Sequence, residues 1–309
     1  MKQYLITGAA GFIGAAIARK LLELGDSVIS IDNLSTGFDE NIPNGVKMIQ
    51  GDCHSPDVIS QAGKYKYDCV MHVAGQSSGE ISFDDPVYDL QTNAQSTLML
   101  LKMCLDQGCK NFVYASSMSV YGEQESQPVS ETAVVIPKSF YAVGKLASEH
   151  YMRIYSKLGL RATALRLFNV YGNGQNMGNL RQGMVSIFLA QAIKDRFIHV
   201  RGSAERYRDV VHVDDVVRAF IIASELEGNG YDFFNIATGE KTKVGQLVRI
   251  IQETIPYDVA SKFEGNTPGD TFGIYADVAK AASGLNWEPD VTLKDGMKNM
   301  VEWALNLPQ

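Results

Sequence analysis

The stretch from Tyr4 to Asp32 constrains the fold more than any other. Tyr4-Leu5-Ile6 is a short apolar run, Thr7-Gly8-Ala9-Ala10-Gly11-Phe12-Ile13-Gly14 a glycine-spaced turn, and Ala15 to Leu24 has helical periodicity. Ser27-Val28-Ile29-Ser30-Ile31 reads as a second strand, with Asp32 just past its end. Glycines let the backbone turn tightly and approach a pyrophosphate, and a helix N-terminus offers free N–H groups. An acid after the second strand accepts hydrogen bonds from ribose hydroxyls. The spacing is G-x-x-G-x-x-G rather than the commoner G-x-G-x-x-G, and glycine alone can serve turn geometry. The ordered set of strand, glycine turn, helix, strand and acid makes dinucleotide binding the better reading. Asn33-Leu34-Ser35-Thr36-Gly37 contains no Arg to meet a 2′-phosphate, so NAD is favoured over NADP.

The alternation continues. Val46–Gln50 is a third strand followed by the turn Gly51-Asp52-Cys53, where Asp52 reaches toward adenine. Cys69–Val73 is a fourth strand, ending at Ala74-Gly75-Gln76, small residues that let the chain pass close to cofactor phosphates. A long helix containing Asn93 runs from about Pro86 to Leu105, and Phe112–Ala115 is a fifth strand ending in Ser116-Ser117. Ala162–Leu167 is a sixth strand. Strands alternating with helices imply an α/β fold, a doubly wound parallel (Rossmann) sheet whose ligands bind outside the C-terminal strand ends. Beyond Gly172 the pattern lapses into a Gly- and Asn-rich loop at 173–182, then helices at 183–194, 213–225, 243–253 and 292–305. The expected organisation is a dinucleotide-binding domain over 1–172 and a smaller mixed α/β lobe over 173–309, with segments around 208–240 returning to the sheet.

The net charge of −7 and pI near 5.3 argue against a nucleic-acid footprint. Ile6-Thr7-Gly8 interrupts the N-terminal apolar run before a signal peptide forms, and no stretch has the length of a membrane span. Cys53, Cys69, Cys104 and Cys109 have neither metal-ligand spacing nor the density of a secreted framework, so no metal and reduced thiols in the cytoplasm are expected.

Ser139-Phe140-Tyr141-Ala142-Val143-Gly144-Lys145 reads as a helix start that Ser139 caps. Tyr141 and Lys145, four residues apart, share a helix face. An ammonium beside a phenol stabilises the phenolate, making Tyr141 a usable base. On spacing alone a surface pair is the favoured reading; the surrounding motifs overturn it.

Those motifs resemble the extended short-chain dehydrogenase/reductase family, in particular its nucleotide-sugar epimerases and dehydratases. The likeness rests on the glycine turn, Asp32-Asn33-Leu34, Asp52, Ala74-Gly75, Asn93, Ser116-Ser117-x-Ser119-Val120-Tyr121-Gly122, Tyr141-x-x-x-Lys145, Arg166-Leu167-Phe168-Asn169-Val170-Tyr171-Gly172, Arg208-Asp209 and Pro268-Gly269-Asp270. It implies bound NAD, contacted by Gly8, Gly11, Phe12, Ile13, Gly14, Asp32, Asn33, Ser35, Thr36, Gly37, Asp52, Cys53, Ala74, Gly75, Gln76, Asn93, Ser116, Tyr141 and Lys145. It implies Tyr141 as base and acid on a sugar hydroxyl, Lys145 on the nicotinamide ribose and depressing the Tyr141 pKa, and Ser117 on the reacting oxygen. Ser116 is the competing hydroxyl, more plausible as a structural hydrogen-bonder. Asn169, Asn179, Leu180, Arg208 and Asp270 are the further contacts to a nucleotide-diphosphate sugar.

Family dehydratases carry Asp-Glu directly after the position of Ser117; here Met118-Ser119 stands there, so elimination lacks its proton carriers. Gly75 after Ala74 is closer to the 4-epimerases, in which a transient 4-ketone is re-reduced on its other face. One departure is Thr267, at the place of the Arg that helps clamp the diphosphate; Arg181, Arg201 or Arg206 would have to compensate, or the base differs. A dehydrogenase releasing the 4-keto sugar, and a non-catalytic NAD-bound scaffold, stay open as alternatives. The resemblance also implies a homodimer, the helices of 88–105 and 140–156 forming a four-helix bundle with their mates.

Overall fold

The computed structural model describes residues 1–181, 183–265 and 272–307. The chain begins with β1 (Gln3–Thr7), α1 (Phe12–Glu23), β2 (Ser27–Asp32), β3 (Lys47–Gln50), α2 (Pro56–Ala62) and β4 (Cys69–His72). It continues with α3 (Pro86–Leu90), a π-helical turn (Gln91–Gln95), α4 (Ser96–Gln107), β5 (Asn111–Ser117), α5 (Phe140–Ser156) and β6 (Arg161–Leu167). Then come β7 (Asn169–Tyr171), α6 (Met184–Asp195), β8 (Phe197–Arg201), β9 (Tyr207–Arg208), β10 (Val210–His212), α7 (Val213–Ser224) and β11 (Gly230–Ile236). The last elements are β12 (Thr242–Lys243), α8 (Val244–Thr254), β13 (Ala260–Glu264), β14 (Gly273–Ile274), α9 (Ala279–Leu285) and α10 (Leu293–Leu305).

Two compact units form. The first comprises Met1–Gly122, Val134–Leu167 and Val217–Phe234; the second comprises Glu123–Ala133, Phe168–Val216 and Asn235–Gln309. The expected span 1–172 is thus interrupted, because residues 123–133 cluster with the second unit.

The first unit is built on a seven-stranded sheet in the order β11-β6-β5-β4-β1-β2-β3, and every pair from β6 to β3 is parallel. The order reverses at β1 and β4, the crevice where open α/β sheets bind ligands. Its interior strands are apolar on both faces, as a doubly covered sheet requires: Leu5, Val70, Phe112 and Ala162 are buried in one cluster. The short α2 starts on Pro56, whose fixed φ suits a first helical turn. α4 stops at Gly108, which takes a left-handed φ of 73°.

The expected unbroken helix from Pro86 to Leu105 is interrupted by the π-helical turn at Gln91–Gln95. Asp32 is the last residue of β2 rather than the residue after it, and Ser116 and Ser117 are still within β5. The short helices α2 and α9 fall outside the expected set. In the second unit, α6, α8 and α10 surround a core of Val185, Leu189, Leu247, Ile251, Met297 and Met300. Among the described residues, no helix is long and apolar enough to cross a membrane and no cluster of metal-ligating side chains occurs.

Candidate active site

The glycine turn is fixed by sterics. Gly8 sits at φ +85°, and a Cβ on Gly14 would lie 2.0 Å from the Gly8 carbonyl oxygen, so a side chain at Gly14 cannot be admitted without moving backbone. α1 opens at Phe12 and Ile13 with no side-chain cap on Gly11 and no acid in its first turn. Its leading N–H groups, with the helix dipole, suit an anion. Asp32 ties the turn to β2: its carboxylate accepts from Ala10 N and Leu34 N, both at 2.9 Å. Beyond it, Asn33 Nδ2 donates to Asp52 Oδ1 at 2.6 Å and Ser35 N to Asn33 Oδ1 at 3.0 Å. Ser35 and Thr36 are exposed there, and Gly37 lies close against the Ala10 backbone. Cys53 is buried beside Thr7, and burial pushes its thiol up to about 12, which makes it inert packing.

At the end of β4, Ala74 N donates to Thr7 O at 3.0 Å, and Gly75 turns at φ +152° directly over Asn93. Asn93 lies in the π-helical turn and donates to Gln76 O at 2.9 Å, while its buried Oδ1 has no hydrogen-bond donor. A buried, unsatisfied acceptor beside a glycine crevice needs a partner of another kind. The amide-rich glycine turn, the acid after β2 and this idle amide oxygen fit a dinucleotide.

α5 begins with Ser139 accepting from Ala142 N at 3.2 Å, and its first turns carry Tyr141 and Lys145. Ser117 of β5 stands beside the Tyr141 phenol, and its Oγ accepts from Ser119 Oγ at 3.0 Å. Lys145 is buried; its Nζ donates to Ala115 O at 2.9 Å and lies 4.7 Å from the Tyr114 ring centre and 5.6 Å from that of Tyr141. Thus Ser117, distant in sequence, meets Tyr141 and Lys145 at one strand end. One expectation is corrected. Burial pushes Tyr141 up to about 12, against which the neighbouring Ser117 hydroxyl pulls downward, while Lys145 is not among the influences that lower it. Burial also pushes Lys145 down to about 7, with the Asp89 carboxylate opposing that shift. In the protein alone, desolvation outweighs the ammonium.

Ser116 faces elsewhere. Its Oγ donates to Glu149 Oε1 at 2.5 Å, and Glu149 also takes a two-pronged bond from Arg166, Nε at 2.9 Å and Nη2 at 2.6 Å. Both charged side chains are 4% exposed, and Arg166 stacks over Phe233 and Tyr121 at 4.4 and 4.8 Å. This clamp locks α5 to β5 and β6, and nothing in the sequence pattern around Glu149 signalled it.

Asn169, Asn179, Leu180 and Arg208 belong to the second unit. Asn169 Nδ2 donates to Asp209 O at 2.9 Å. Arg208 is buried, with Nη1 donating to Tyr207 O at 2.7 Å; burial and the like charge of Arg206 push its guanidinium down to about 10. A cation so disfavoured gains from an anion. Asp209 is structural: it accepts from Thr238 N, Thr238 Oγ1, Gly239 N and Ala276 N at 2.6–3.2 Å. His212 is packed in β10, edge-on to Tyr171 at 5.3 Å. In the loop before α6, Asn179 Oδ1 accepts from Arg181 N at 3.1 Å and Leu180 is exposed. Asp270 and Thr267 lie outside the described residues.

Comparison with known proteins agrees with this geometry. Residues 4–237 match the family described as NAD dependent epimerase/dehydratase. A UDP-glucose 4-epimerase of Mycolicibacterium smegmatis is 33% identical over 312 residues, covering 99% of each chain. Among solved structures, UDP-glucose 4-epimerase with UDP-glucose from Thermotoga maritima superposes with a TM-score of 0.94 at 35% identity, covering 98% of each chain. The Thermus thermophilus UDP-glucose 4-epimerase complex with NAD gives 0.90 at 31% identity, covering 98% of this chain and 99% of that one.

Proposed function

Because the chain belongs to the NAD dependent epimerase/dehydratase family, we propose that it is an NAD-dependent nucleotide-sugar 4-epimerase. The single observation that carries the reading is the convergence of Ser117 and Tyr141 with a buried Lys145 at the end of β5. NAD would be held by the glycine turn, by Asp32 and the Asn33–Asp52 pair on the adenosine side, and by Ala74–Gln76, Asn93 and Lys145 on the other; it supplies the hydride acceptor and returns that hydride.

The side chains do the rest. Tyr141 takes the proton of the sugar C4 hydroxyl and gives it back, and Ser117 holds the reacting oxygen in line with the phenol. Lys145, kept dry among Tyr114, Tyr141 and the Ala115 carbonyl, favours the phenolate whenever it is charged. Met118-Ser119 leaves no carboxyl pair after Ser117, so the ketone is re-reduced rather than dehydrated. Arg208 receives the diphosphate, which relieves its desolvated charge; Asn169, Asn179, Leu180 and Asp270 complete the substrate contacts. Ser116 is removed from the cofactor set in this reading, since its hydroxyl serves Glu149.

Two further assignments accompany it. Leu98 and Leu105 on α4, Phe140, Val143 and Ile154 on α5, and Leu158 just beyond it are exposed. Apolar faces of this kind support a homodimer through a four-helix bundle. Four free, buried cysteines accord with a reducing cytoplasm.

The test is to incubate the purified protein, with NAD, with UDP-glucose, UDP-GlcNAc and GDP-sugars in turn. C4 epimers approaching equilibrium without NADH accumulation support the reading. NADH rising in step with ketone would establish a net dehydrogenase instead.

A further inference from the structure

The buried carboxylates among the described residues are not all satisfied alike. Asp32, Glu149, Asp209 and Asp215 have both oxygens hydrogen-bonded. Asp89, on α3 and 1% exposed, does not. Its Oδ2 accepts from Gln76 Nε2 at 2.8 Å and Asn93 Nδ2 at 3.2 Å, while Oδ1 is buried with no donor. That oxygen points at α5. A Cβ built on Gly144 would lie 3.4 Å from it and 3.2 Å from Asn93 Cβ, so Gly144, between Tyr141 and Lys145, is what lets the helix come so near. Lys145 has a backbone carbonyl for a partner and no carboxylate within ion-pair distance among the described residues. Two opposite charges therefore face one another in the dry interior without touching, each leaning on the other for its stability.

We propose that Asp89 is a positioning residue for the reaction: a fixed countercharge that keeps Lys145 an ammonium while Tyr141 gives up and regains its proton. The inference rests on the epimerase reading for its chemistry, though not for its geometry. The groups facing the pair are few. Tyr141 and Lys145 come from α5; Tyr114 comes from β5, with its phenol raised by burial; His72 comes from β4, held neutral because burial pushes it down to about 3. Gln76 and Asn93 are uncharged amides. The Asp89 anion raises both Lys145 and Tyr141. Removing it lets both lose their protons at lower pH.

The experiment is Asp89→Asn in the full-length, NAD-loaded protein, with two readouts. In the rate–pH profile of epimerisation, both the acid and the alkaline limb should move to lower pH by roughly one pH unit. In a tyrosinate absorbance titration, differenced against Tyr141→Phe, the Tyr141 transition should move the same way. A profile lowered in height with its limbs unmoved, and an unmoved titration, would show a merely structural role and overturn the proposal. Should Asp89→Asn fail to fold, Asp89→Glu keeps the charge; limbs that stay in place as the rate falls support the proposal, and limbs that move as though the charge were gone overturn it. If no nucleotide-sugar is turned over at all, the epimerase reading fails and the titration still decides Asp89.

Discussion

α5 carries two buried charged centres one turn apart, and they are built on opposite principles. Around Glu149 both carboxylate oxygens are met: Arg166 grips it with two nitrogens, Ser116 donates to it, and Tyr231 adds a third donor at 3.3 Å. Around Lys145 needs are left open: one backbone carbonyl, an opposing carboxylate out of reach, and a neighbouring phenol that burial keeps protonated. A satisfied centre fixes geometry. An unsatisfied one stores the readiness to exchange a proton, at the expense of stability, and the first makes the second tolerable.

The strongest attempt to break this contrast is Tyr141→Phe. Turnover should fall about 10²–10⁴-fold with the melting temperature nearly unchanged, as initial rates and calorimetry on one preparation would reveal. Undiminished turnover would remove the phenol from the chemistry. Next comes Glu149→Ala, which strands Arg166 in the interior and should cost about 3–5 kcal/mol of stability in a denaturant titration. Third, Lys145→Met should abolish turnover and leave the Asp89 carboxylate without its countercharge. The pH dependence sharpens this third case. Since the folded protein pushes Lys145 down to about 7 from 10.5, its favourable contribution is complete above 10.5 and is withdrawn as the pH falls to about 7. Wild-type stability should therefore gain from this residue as the pH rises from 7 toward 10.5, and the Lys145→Met protein should lack that gain. The smallest effect separates adjacent serines. Ser116→Ala should lose about 1.5–3 kcal/mol of stability, from a hydrogen bond to a charged group, with kcat retained; Ser117→Ala should lower kcat and leave stability in place.

The two centres were also unequally legible beforehand. Glycine spacing, alternation of strand and helix, and Asp32 were plain because each depends on neighbours in sequence. Tyr141 and Lys145 were found by their spacing, but their proton affinities were not, since desolvation sums over β4, β5 and the π-helical turn, segments that no local pattern brings together. Asp89 resembles any polar residue on a helix until burial is known. The π-helical turn escaped because one extra residue in a helical turn barely alters hydrophobic periodicity. In the second unit Arg208 and Asn169 were located by motif, whereas Asp209 gave no hint that its carboxylate would gather four donors.

The sheet order bears on how such a chain is made. β6 occupies its place next to β5 early in synthesis, yet its other neighbour, β11, is encoded at residues 230–236. Until that stretch has left the ribosome, β6 presents an open row of amides and carbonyls to any passing strand. Nascent chains halted before residue 230 should therefore associate with one another or lean on chaperones, and truncation from the C-terminal side will injure the nucleotide half well before its own helices are reached.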